Sequence, residues 1–251
     1  MSYKKIVPCL DFYNGHVVKG VHFENVREVG DAVENAKFYE AQGADELAFL
    51  DISATVEGRD TLVDAVKKVT AVISIPLCVG GGIRTLADAE RIIAAGASKI
   101  SINSAAVLNP ALITECATKL GKERVVCAID AKLTSTERWT VFINGGQKDT
   151  GIEAVKWARF VADLGAGEIL LTSIDRDGVK NGYDIPLTRA VSDAVKIPVT
   201  ASGGAGKKED FLSALTLGGA QTALAASLFH FREIRIPELK AYLKANGVAV
   251  R

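Results

Sequence analysis

The chain has little of what marks the more easily recognised protein classes. Although 48% of its 251 residues are hydrophobic, no stretch approaches the ~18 uncharged apolar residues of a membrane span. The opening MSYKKIVPCLD has no apolar h-region and reads directly into a strand, so no signal peptide is expected. Neither charge sign dominates: Lys plus Arg and Asp plus Glu number 30 each. That balance argues against a nucleic-acid binder while leaving room for a local positive site for a small anion. The four cysteines, Cys9, Cys78, Cys116 and Cys127, form no CxxC, and no Cys/His spacing suggests zinc. Cys9, Cys78 and Cys127 lie in apolar, strand-like runs, where a thiol is usually a small core residue. A reduced, cytoplasmic protein is expected. Low-complexity tracts and Pro/Gly/Ser linkers are absent too, so residues 1–251 read as one domain.

What is present is a rhythm. Eight short β-rich runs, at 4–11, 45–51, 75–81, 99–103, 124–130, 167–173, 197–204 and 222–227, alternate with helical patterns such as TLADAERIIAAG and EAVKWARFVADLG. The apolar residues of those patterns recur at three- and four-residue steps, and several patterns end in a glycine suited to a left-handed C-cap. Strand and helix in alternation imply parallel βα units. The second half echoes the first: IPLCVGGGI matches IPVTASGGAG, and KISINSAAV matches TALAASLFH. Asp11, Asp51, Gly81 and Asn103 are separated by 40, 30 and 22 residues, and Asp130, Thr172, Gly203 and Ser227 by 42, 31 and 24. The expected fold is therefore a single (β/α)8 TIM barrel of two half-barrels, about 1–120 and 121–251, a size that suits the ~250 residues of such folds. An open doubly wound sheet is the alternative, but it predicts no two-fold echo.

In such barrels chemistry gathers at the C-terminal strand ends. Cys9 and Asp11 share a strand face, as do Ala128 and Asp130. If those faces point inward, two carboxylates look at each other across the mouth and can give and take protons at different substrate atoms. A single aspartate of this kind is as easily a loop cap, but two in symmetry-related positions favour catalysis. The glycine runs GGGI (80–83) and SGGAGKKED (202–210) each follow a strand and open a helix, which suits phosphate binding through backbone N–H groups. SINSAA (101–106) and AASLFH (225–230) complete two cradles, and TSIDRDGVKNGYD (172–184) adds Asp177 and Gly178 beside the second. A ligand with phosphates at both ends is expected. Lys19 falls on a loop after the first strand, positioned to neutralise a phosphate or orient the substrate, or else to be an ordinary surface lysine. Lys5, Glu46, Lys99 and Glu168 should ring the opposite mouth, a pattern that by itself reads as solvated strand entries with salt bridges.

CLDFYNGHVVKG, ELAFLDISATVEGR, VGGGIR, AIDAK, GAGEILLTSIDRDGVKNGYD, ASGGAGKKEDF and AASLFHFREI together resemble the cyclase subunit of imidazole glycerol phosphate synthase, of histidine biosynthesis. The likeness runs from about residue 4 to residue 251. It implies a bis-phosphorylated ribulosyl aminoimidazole carboxamide nucleotide, PRFAR, as substrate. Ammonia is added, and ring closure with carbon–nitrogen cleavage gives imidazole glycerol phosphate and aminoimidazole carboxamide ribotide, AICAR. On the same resemblance, Asp11 and Asp130 are the acid/base pair and Lys19 the loop lysine. Gly82, Asn103 and Ser104 form one phosphate cradle; Asp177, Gly178, Gly204, Ala226 and Ser227 form the other, beside the strand-end residues Thr172 and Gly203. Lys5, Glu46, Lys99 and Glu168 form a gate for ammonia from a glutaminase partner on the N-terminal face. No metal or redox cofactor is implied. Cys78 stands where the family typically has threonine, His16 and His22 replace a more common arginine and asparagine, and Ser98 is often aspartate. Two other readings are an isomerase that precedes this step in the pathway and a non-catalytic or engineered phosphate-binding barrel. The charged ring and TSIDRDG favour the cyclase over the first, and the paired aspartates argue against the second.

Overall fold

The computed structural model describes residues 3–13, 16–21, 24–28, 30–51, 63–135 and 138–251. Its strands are β1 (Lys5–Tyr13), β2 (His16–Val21), β3 (Glu24–Glu28), β4 (Leu47–Asp51), β5 (Leu77–Gly80), β6 (Lys99–Ile102), β7 (Val125–Ser135), β8 (Arg138–Ile143), β9 (Lys148–Glu153), β10 (Glu168–Ser173), β11 (Val199–Ser202) and β12 (Thr222–Ala225). Eight of them, β1, β4, β5, β6, β7, β10, β11 and β12, pair in parallel in that order, and β12 returns to β1. The ring is a closed (β/α)8 barrel, and all eight expected strands are in it. From β1 to β7 is four steps in either direction, so the two aspartate-bearing strands stand opposite each other.

The eight ring strands are largely apolar because both faces are covered, the inner by the lumen and the outer by helices. Helix Ala154–Asp163 shows how the outer layer forms. It buries Ala154, Trp157, Ala158 and Val161, one stripe at helical spacing, and Glu153 caps it by accepting from the Val155 and Lys156 N–H groups. Gly165 follows at φ +106°, a left-handed turn that returns the chain to β10. The lumen holds a separate cluster of small and aliphatic side chains: Val7, Cys9, Ala48, Cys78, Val126, Leu170 and Leu224. Among the described residues no helix is long and apolar enough to cross a membrane.

The segments after the first and fifth barrel strands are not plain loops. β1 runs on into an antiparallel ribbon with β2, pairing Asp11 with Val18 and Tyr13 with His16, and β3 pairs β2. β7 does the same with β8, pairing Asp130 with Phe142, and β9 pairs β8. Backbone leaving the barrel rim thus satisfies its polar groups in a ladder rather than in water. Trp139, Thr140, Val141 and Ile143 are buried along β8. The internal duplication therefore extends past the barrel itself.

The seam between the last and first units is tied by a buried ion pair. Lys240, on helix Ile236–Ala245, donates to Asp45 Oδ1 at 2.8 Å and to the Gly43 carbonyl at 2.7 Å. The other oxygen of Asp45 accepts from the Ile6 N–H at 2.8 Å.

Candidate active site

Asp11 and Asp130 end the inward faces of opposite strands, and both are buried. Their surroundings differ. Asp11 Oδ1 accepts from the Cys9 thiol, two residues back on the same face, at 3.2 Å. Cys9 is thus more than the core filler expected of it. Asp130 Oδ2 accepts from Asn103 Nδ2 at 2.8 Å. Burial pushes the Asp130 carboxyl up to about 6; the Asn103 hydrogen bond pulls the other way, and the Asp177 charge adds to the rise. Asn103, expected in a phosphate cradle, also orients a carboxylate. Its own Oδ1 is buried with no hydrogen-bond donor among the described residues.

Two cavities flank the pair. One, of about 60 Å³, is lined by Asp11, Thr172, Asp177, Gly178, Gly203, Gly204, Ala226 and Ser227. The second, of about 240 Å³, is lined by Gly82, Asn103 and Ser104. The glycines are required by the turn. A Cβ on Gly204, at φ +105°, would stand 2.3 Å from the Gly182 carbonyl oxygen. Without Cβ atoms, backbone N–H groups lie open to an oxyanion. Ser104 departs from the simple cradle, because its Oγ accepts from the Asn144 N–H at 3.0 Å and so ties the cavity to the β8–β9 turn.

The N-terminal end of the lumen is a single network rather than four solvated strand entries. Glu46 Oε2 accepts from Lys5 Nζ at 3.2 Å and from Lys99 Nζ at 2.9 Å, and Lys99 also reaches Glu168 Oε2 at 2.7 Å. Lys99, Glu46 and Glu168 are largely buried, while the Lys5 side chain is 41% exposed. Burial alone would lower the Lys99 ammonium, but the charges of Glu168 and Glu46 outweigh it and hold it above its ordinary value. Glu46 and Asp51 are five residues apart, an odd step, so Leu50 rather than Asp51 takes the lumen position at the mouth.

A family model described as "Histidine biosynthesis protein" matches residues 5–235. The imidazole glycerol phosphate synthase subunit HisF of Hydrogenobaculum sp. (strain Y04AAS1) is 57% identical over 251 residues, covering all of both chains. The chain belongs to the histidine biosynthesis family, among its HisF subunits.

Within this HisF chain some residues go beyond the sequence expectations. Lys180 and Ser202 line the smaller cavity, and Lys180 Nζ is paired with Glu233. Lys180 adopts φ +58°, rare for a residue with a Cβ, inside the TSIDRDGVKNGYD stretch that already pointed to this wall. Arg84 and Asn144 line the larger cavity. Lys19 lies on β2 opposite Arg27 rather than on a loop; its side chain is outside the described residues, as is all of His22.

Proposed function

We propose that the chain is the cyclase subunit of imidazole glycerol phosphate synthase, using ammonia from a glutaminase subunit to convert PRFAR to imidazole glycerol phosphate and AICAR. The reading rests on one arrangement above all: two buried carboxylates on opposite strands, unlike in their hydrogen bonding, between two glycine-walled cavities. A substrate phosphorylated at both ends spans that mouth, with one phosphate at Gly82, Asn103 and Ser104. The other sits at Asp177, Gly178, Gly203, Gly204, Ala226 and Ser227, with Thr172 beside it. Its reacting centre then lies between Asp11 and Asp130. Ammonia addition, ring closure and carbon–nitrogen cleavage each need a proton given at one atom and taken at another. Asp130, whose carboxyl keeps its proton up to about pH 6, suits the giving role, and Asp11 on the far side completes the pair. Lys19 orients the substrate from the β1–β3 ribbon.

We read residues 1–251 as one cytoplasmic domain of two half-barrels, about 1–120 and 121–251. The glutaminase docks on the N-terminal face, where Lys5, Glu46, Lys99 and Glu168 gate the lumen. Ammonia then passes the apolar layer around Cys9 and Cys78 to reach the mouth.

The deciding assay supplies the purified chain with PRFAR and an ammonium salt. Release of imidazole glycerol phosphate supports the proposal. Isomerisation of the preceding ribosyl intermediate identifies the isomerase instead, and turnover of neither leaves a phosphate-binding barrel. Asp11→Asn should lower turnover by at least about 100-fold while the bis-phosphate ligand still binds in calorimetry. Retained turnover would remove Asp11 from the mechanism.

A further inference from the structure

Thr200 lies on β11 at the base of the lumen, is 3% exposed, and donates its hydroxyl to Glu168 Oε1 at 2.6 Å. Consecutive strands there carry Glu168, Thr200, Thr222 and Lys5, with Thr200 opposite Thr222 and Thr222 opposite Lys5. Lys5 reaches Glu46, so the ion pairs form an open chain, Lys5–Glu46–Lys99–Glu168, rather than a closed ring. Its last carboxylate has one oxygen on Lys99 and the other on Thr200. A hydroxyl on a nearly buried carboxylate is among the stronger single hydrogen bonds. Without that hydroxyl, Oε1 is desolvated and unmet, and Glu168 must turn to find a donor. Lys99 then loses the fixed partner that spreads it between two carboxylates.

We propose that Thr200 is a positioning residue of the lumen entrance: its hydroxyl fixes Glu168 so that Lys99 spans Glu46 and Glu168, and this sets how much glutamine-derived ammonia reaches the mouth. The proposal rests on the cyclase reading, and two readouts separate their failures. In the complex with the glutaminase, Thr200→Val should leave turnover with free ammonium within about twofold, yet lower product formed per glutamine hydrolysed by about three- to tenfold, the scale of one ordinary net hydrogen bond. Thr200→Ser should restore the ratio. An unchanged ratio in Thr200→Val, or no rescue by serine, overturns the proposal. Should the valine variant not fold, Thr200→Ala takes its place under the same criteria. The second readout needs no turnover. The Lys99 ammonium signal in nitrogen-15 NMR should exchange with water faster in the valine variant than in wild type or Thr200→Ser, and equal exchange rates refute the positioning role. If wild type shows no turnover with ammonium, the cyclase reading and the effect on ammonia fall together, while the exchange rate still decides whether Thr200 holds the entrance.

Discussion

Asp130 is the residue whose environment has the clearest consequence in solution. The fold favours its protonated form, with the carboxyl raised to about 6. Below the ordinary carboxylate value both folded and unfolded chains are protonated, and the stabilising preference is fully present. It is lost as pH rises through about 6, where the folded carboxyl must ionise inside the mouth. Asp130→Asn has no such loss. Its stability relative to wild type should therefore rise between about pH 4 and pH 6 by up to about 3 kcal/mol, then stay level. Urea unfolding at pH 4.5 and 7 checks this, and a constant difference would refute it. The same variant should remove the apparent pKa near 6 from the pH profile of turnover. Both aspartates were legible in the sequence, because period-two alternation and the internal repeat fix where a strand-end side chain points. Their partners were not. Asn103 meets Asp130 from 27 positions away, just past the end of the neighbouring strand, and Glu168 meets Thr200 from 32 away. Such pairs depend on register and barrel shear, which composition does not carry.

Among the elements, the strand-to-helix turn at 202–206 tolerates little change. Gly204→Ala forces a Cβ against the Gly182 carbonyl in a left-handed conformation. The turn must shift, closing the N–H groups that face the smaller cavity. The expected result is a rise in KM for PRFAR larger than any fall in kcat, with a Tm lower by at least about 2–4 °C. A fall in kcat alone would mean that the turn does not hold the ligand. This turn was legible, since only glycine serves there. The two ribbons left weaker marks: Asn14-Gly15 and Asn144-Gly145 are hairpin signals, but Phe142 interrupts the alternation of RWTVFI. What hid them was KDTGIE in β9, whose few apolar residues give little pattern of their own.

At the scale of the whole molecule, eight units, their order and their two-fold echo could be read from the chain, because each unit repeats a local pattern. The seam that closes the ring could not. Lys240 and Asp45 are 195 positions apart and meet only once the barrel is complete. Lys240→Met should leave Asp45 buried without its cation and lower stability by roughly 3–5 kcal/mol, measured by denaturant unfolding, while ammonium-driven turnover below the transition stays near wild type. A smaller loss would show that the last helix is held by apolar packing alone. One feature joins all three scales. Asp11 sits opposite Leu50 in the barrel wall and opposite Val18 in its ribbon, and Asp130 likewise sits opposite Thr172 and Phe142. Each carboxylate is thus the pivot between a stiff cylinder and a protruding arm, with no spacer between them. A synthetic clasp that gripped either arm from outside would twist the pivot, and could brake the chemistry without ever entering the mouth.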